Sequence, residues 1–213
     1  MRPITLSMAR TSRALTARFD AAALRPFADT AAAEASADRW PALRVWLGQP
    51  TADGQAPCAP AAVPLLSLAC SGGADVARAF SAAAALGLWL DGSLALRACR
   101  GPVQRLGMRA RVKVQDVRSA WDAQPHAVWD SGFVPDEPSA WQAFADFRPR
   151  RASFIVLRRP PDVDRAGTDA LAVRAVRTLL ARQRHLACPV QVLLLGRPWP
   201  GVSAQSLPGP PDR

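Results

Sequence analysis

Three stretches of this 213-residue chain repeat their apolar residues at helical spacing, and that period constrains the fold more than any other feature. Over 75–90, Val76, Phe80, Ala84 and Leu88 make one stripe, with the small residues Ala83 and Gly87 beside it. Over 103–121, Val103, Leu106, Ala110, Val114, Val117 and Trp121 recur every three or four positions. That is about five helical turns, and the other face carries Arg105, Arg109, Lys113 and Arg118. Over 169–185, Val173, Val176, Leu179, Leu180 and Gln183 alternate with Arg174, Arg177, Arg182 and Arg184. Two shorter stretches carry the same signal. Leu15, Phe19, Ala23 and Phe27 are four apart, and Trp40, Leu43, Trp46 and Leu47 give another helical face, with Pro41 in its first turn. A further helix is expected through 139–145, capped by Ser139.

These periods predict a mainly α-helical, single compact domain, with Trp89, Leu106, Val117, Trp121, Val176 and Leu180 in its core. A small β element (an α+β variant of the same class) comes from 152–158, ended by Pro160-Pro161, and from 190–195. The run 65–70 fits strand or helix equally. The same three runs, separated by helices, also allow a runner-up: a Rossmann-like α/β domain with 65–70, 152–158 and 190–195 as parallel strands. The expected organisation is an N-terminal helical segment over 1–47, a Pro/Ala-rich loop over 48–64, a main domain over 65–195 and a loose tail over 196–213.

Charge narrows the function classes. Lys and Arg number 27 against 17 Asp and Glu, for a formal net charge of +10, and Lys113 is the single lysine. Such a balance points to nucleic acid, anionic lipid or an acidic protein. The arginines are spread along the whole chain among Ala and Pro, as GC-rich codon usage also produces. The most basic segment, 97–118, lacks the interleaved aromatic and polar base-reading residues of a nucleic-acid surface, so nucleic acid is disfavoured. No apolar run is long enough to span a membrane, and Met1 to Asp20 carries no secretory apolar core.

The motifs of chemistry are largely missing. Ser71-Gly72-Gly73 stands between an apolar run and a helix, where phosphate loops sit, but the Lys-Ser/Thr pair of such loops is absent. A helix-entry turn is the expected role. Asp162-Val163-Asp164 reads as a solvated turn. His126 and His185 have no nucleophile in a recognisable turn. Cys58, Cys70, Cys99 and Cys188 have no zinc spacing and read as reduced thiols in a cytoplasm. No catalytic, cofactor or metal residues are assigned.

One segment resembles a known family. Leu86-Gly87-Leu88-Trp89-Leu90-Asp91-Gly92, then Leu96-Arg97-Ala98-Cys99, then Pro102-Val103-Gln104-Arg105-Leu106 and the helix to Trp121 are similar to the SctK family of bacterial type III secretion systems. Arg18 to Leu24 and Trp40-Pro41 look like that family's opening. The resemblance implies a non-enzymatic adaptor of the cytosolic sorting platform, in the bacterial cytoplasm beside the inner membrane. It would link SctQ, and through SctL the secretion ATPase, to the cytoplasmic domain of the ring protein SctD. It implies no small-molecule substrate and no cofactor. Arg105, Arg109, Lys113 and Arg118 are then the candidate partner-binding surface, for acidic patches on those proteins. The alternatives are a basic nucleic-acid or ribosome-associated binder, and a degenerate nucleotide-binding α/β domain based on 65–90.

Overall fold

Leu, Val and Ile crowd the runs at 153–159 and 190–196 without a polar alternation, and 66–71 adds a shorter run of Leu66, Leu68, Ala69 and Cys70; runs of this kind are how strands buried on both faces read. In the computed structural model those runs are neighbouring parallel strands. The structure describes residues 22–27, 40–48, 65–71, 75–91, 101–104, 106–107, 110, 114, 129–149, 151–159, 166–196 and 199–210.

The elements in chain order are α1 (Pro41–Trp46), β1 (Leu66–Ser71), α2 (Val76–Leu90), β2 (Asp130–Phe133), α3 (Pro138–Ala145), β3 (Ser153–Arg159), α4 (Ala166–Ala181), a 3-10 turn (Gln183–His185), β4 (Val190–Gly196) and β5 (Gln205–Ser206). The sheet has five strands in the order β2-β3-β4-β1-β5, and every pairing is parallel. The mainly helical reading is therefore corrected to α/β. An apolar run of six or seven residues has no period that separates a buried strand from a buried helix, and here the strands win. The runner-up had all three central strands.

Strand alternation sends side chains to two cores. Ala69, Phe154, Val156, Leu193 and Leu195 meet α1 and α2 on one face. Ile155, Leu157, Val190, Val192 and Leu194 meet α3 and α4 on the other. The chain leaves β1 over the first face to reach the far edge at β2, then returns strand by strand through α3 and α4. Reversing the direction of travel moves the crossover helix to the opposite face, as right-handed crossovers require.

The period of α4 marks its buried face, whereas in α2 only Leu88 of the expected stripe is buried: Val76, Phe80 and Ala84 are half-buried at the margin, and Ala79, Ala82, Ala83 and Leu86 face the core. Ala172, Val173, Ala175, Val176 and Leu179 of α4 are buried, and Leu180 packs at the margin. Gly87 in α2 is required by packing, since a Cβ there would run into the Phe27 ring. Ser131 Oγ donates to the Gly87 carbonyl at 2.6 Å and ties α2 to β2. Trp89 and Leu106, expected in the core, are 40% and 69% exposed. Trp89 sits on the solvent side of α2, where the Arg44 guanidinium lies 5.4 Å from its ring. Leu106 belongs to helical positions between 102 and 114 whose described residues, Val103 and Val114 included, face solvent. The core expectations at Val117 and Trp121 lie outside the described residues.

Three further expectations change. Residues 22–27 are not helical: Arg25 bridges Phe133 in the antiparallel sense, with hydrogen bonds in both directions at 2.9 Å. Ala23, Leu24 and Phe27 are nevertheless buried. The helix at 138–145 starts on Pro138 with Glu137, not Ser139, at its cap. The segment read as a loose tail supplies edge strand β5, and buries Trp199 and Leu207.

Candidate functional site at the carboxyl edge

In open parallel sheets, ligands settle at the carboxyl ends of the strands, where neighbouring strands send their connections to opposite faces. Here that place is the β1/β4 boundary. β1 exits toward α2 on one face, and β4 exits toward Trp199 on the other, because Trp199 packs in the α3/α4 core. Ser71 and Leu195 are register partners at the end of that boundary.

Gly196 makes the β4 exit possible. Its φ is +94°, which side-chain-bearing residues rarely adopt, and a Cβ there would strike the Arg159 carbonyl. The chain then turns back through Trp199 and Pro200 to Gly201, at φ +67°. A Cβ on Gly201 would collide with the Arg177 guanidinium, so this glycine leaves room for Arg177 Nη2 to donate to the Pro200 carbonyl at 3.0 Å.

β3 ends beside this crevice with two arginines, one per face. Arg158 lies on the α2 side, its guanidinium 4.3 Å from the Phe80 ring centre and 6.0 Å from that of Phe133. Those rings form a cluster with Phe27, at centroid distances of 5.5 to 6.0 Å. Arg159 points to the α4 side, 5.5 Å from the Trp199 ring, and its Nη2 donates to Asp169 Oδ2 at 2.8 Å. Its side chain is 11% exposed and is held between the Trp199 ring and the Asp169 carboxylate. Stacking on an aromatic face and pairing with a carboxylate both restrict a guanidinium without removing its remaining donors.

From Arg159 a groove of about 740 Å³ runs along α4. Its walls include Asp169, Val173, Arg174, Arg177, Thr178, Arg182 and Pro200. Asp169, Arg174, Arg177 and Thr178 stand on the polar face of α4, Val173 lies at the edge of its apolar stripe, and Arg182 follows the helix end. Four arginines against one carboxylate make the groove basic. Arg182 is fixed too, donating to the Ala145 carbonyl at 2.7 Å.

The β1–α2 junction behaves differently. Ser71 ends β1 and is buried, and Asp75 caps α2 by accepting from the Arg78 amide at 2.8 Å. This matches the helix-entry reading of Ser71-Gly72-Gly73, of which 72 and 73 lie outside the described residues. A carboxylate already occupies the helix end where a phosphate loop would place its anion.

The amino edge carries structural charge. Arg151 Nε lies 3.0 Å from Asp130 Oδ1, with side chains 10% and 2% exposed. Cys188 is free and buried; burial first, and the Asp130 charge second, push its thiol above the usual value of 9.0. A smaller groove of about 490 Å³ there is lined by Arg148, Arg182 and His185. His185 itself is exposed on the 3-10 turn. Among the described residues no three His, Cys, Asp or Glu side chains converge as metal ligands, and no helix is long and apolar enough to cross a membrane.

The predicted site residues Arg105, Arg109, Lys113 and Arg118 lie outside the described residues, as do His126, Asp162 and Asp164. The basic groove was missed as a site, although Arg174, Arg177 and Arg182 were visible as one polar helix face. Only the fold brings Arg159, from a strand 15 residues earlier than Arg174, to its end. The chain matches no protein-family model, no curated protein and no solved structure.

Proposed function

We propose that this chain is a ligand-binding α/β domain whose carboxyl edge takes a phosphate-bearing small molecule of the nucleotide class. One observation carries the reading: the connections diverge between β1 and β4, and at the same level Arg158 and Arg159 emerge from β3, the other neighbour of β4. Guanidiniums suit phosphate because each presents several donors in a planar fork. Calorimetric titration with ATP, GTP and adenosine tests this. Saturable binding of the nucleotides, with adenosine inert, is expected. No saturable binding of either nucleotide into the millimolar range would overturn it.

A second reading, the sorting-platform adaptor, has one observation in its favour. Val103, Leu106 and Val114, each at a described helical position, expose apolar side chains, as a partner-binding surface does. Co-purification with the SctD cytoplasmic domain and SctQ, abolished by Leu106→Glu, is its expected result; absence of both partners removes it.

A further inference from the structure

We propose that the α4 groove, rather than the β1–α2 junction, holds the phosphate chain of the ligand; this rests on the nucleotide-class reading above. In a phosphate loop the anion sits on the amides at a helix start, assisted by a lysine. Here that helix start carries the Asp75 carboxylate, whose Oδ1 already accepts from the Arg78 amide. A phosphate brought to the same place meets a like charge and loses one of its donors. The groove offers the opposite. The Arg174 guanidinium makes no hydrogen bond or ion pair among the described residues, and only its carbonyl is engaged, accepting from Thr178 Oγ1 at 2.9 Å. Arg177 and Arg182 are anchored on the neutral carbonyls of Pro200 and Ala145. A carbonyl partner restricts a guanidinium without cancelling its charge. Asp146, 3.7 Å from Arg182, is 92% exposed and screened by water.

Among the described residues, Arg174, Arg177 and Arg182 are thus a row of cations whose one ion-pair partner is the exposed Asp146, while Arg159 beyond them is paired with Asp169. The groove's upper end is at Arg159, the last residue of β3 and the register partner of Gly196 on β4. A cleft lined by one sign of charge concentrates counter-ions of the other sign. The helix rises about 1.5 Å per residue, so the positions from Ala170 to Ala181 line a slot about 17 Å long. A single carboxylate cannot engage such a row. A linear chain of phosphates can, with each guanidinium meeting different oxygens. The ligand class is therefore an oligophosphate, either free or as the tail of a nucleotide.

The test compares sodium tripolyphosphate, ATP and adenosine, titrated calorimetrically into the intact chain and two variants. Arg174→Glu/Arg177→Glu changes exposed α4 positions, and Arg184→Glu changes an exposed arginine outside the groove. Circular dichroism checks that each keeps its fold, and Arg174→Glu alone serves if the double variant does not. We expect ATP and tripolyphosphate to bind the parent chain and Arg184→Glu alike. Binding should fall by on the order of tenfold or more in the groove variants, as losing charge-assisted hydrogen bonds demands. Tripolyphosphate binding as tightly as ATP identifies the free oligophosphate as sufficient, while a clear preference for ATP assigns the nucleotide as the source. If ATP binds with equal affinity to the groove variants, the phosphates sit elsewhere and this inference falls while the nucleotide-class reading stands. If neither phosphate compound binds the parent, both fall.

Discussion

Replacing Asp130 with Ala should destabilise the fold far more than an ordinary substitution. Asp130 begins β2 with its side chain 2% exposed, and the Arg151 guanidinium, 3.0 Å away, is 10% exposed. Neighbouring backbone bonds hold the pair in place: the Asp130 amide donates to the Ala152 carbonyl, and the Ser153 amide to the Pro189 carbonyl, both at 2.9 Å. Arg151 therefore has little freedom to swing into water once its carboxylate is gone. Removing one member of a buried pair costs about 3–5 kcal/mol, because the remaining charge keeps its desolvation penalty and loses its Coulomb partner. Domains are stable by only about 5–15 kcal/mol in total. At about 2–4 °C per kcal/mol for this size, the midpoint should drop by about 6–20 °C. Urea melts followed by circular dichroism read the difference directly. The double variant Asp130→Leu/Arg151→Met separates charge from packing, since well-packed apolar replacements of buried pairs are close to neutral. It should lie within about 1 kcal/mol of the parent. A single variant within about 1 kcal/mol of the parent, or a double variant as unstable as the single, would refute the argument from desolvation.

Other outcomes follow from the same geometry. Gly196→Ala forces a side chain into positive φ against the Arg159 carbonyl; a loss of about 2 kcal/mol or more in urea melts is expected, from backbone strain alone. Cys188 has its native thiol pushed above 9.0, so the native state keeps the proton longer than the unfolded chain. Its contribution is therefore complete below that value and is lost as the pH climbs past it. Cys188→Ala should flatten the alkaline limb of stability measured from pH 7 to 10, and an unchanged limb would contradict this. Trp40→Phe deletes the indole donor that reaches the Pro208 carbonyl at 2.7 Å. It should cost about 1 kcal/mol and speed proteolysis after residue 206, detected by mass spectrometry.

The sequence was most legible where burial is one-sided. The period of α4 marked Val173, Val176 and Leu179 as buried and its arginines as exposed, because a helix on a sheet must hide one stripe. The central strands were visible as runs but not as strands, since burial on both faces erases the alternation that announces a sheet. β2 escaped because Asp130, Ser131 and Gly132 are poor strand formers; register with Ser153 to Val156 and the Arg151 pair hold it in place. The period over 103–121 predicted a core helix, yet Val103 and Leu106 face solvent: periodicity reports amphipathicity, not which surface covers the stripe. The basic groove shared that ambiguity. Its α4 arginines were legible as a polar face, while Arg159, Gly196 and Gly201 gain meaning only through the β3–β4 register and the turn at Pro200.

Hydrogen exchange with and without ATP, read by mass spectrometry, tests the carboxyl-edge site most directly. Amides that close over a ligand exchange more slowly in proportion to occupancy. The account predicts added protection at the end of β3, along α4 and at 199–201, with the amino-edge segment 185–189 unchanged. Protection confined to 185–189, or no change at saturating ATP, would contradict it.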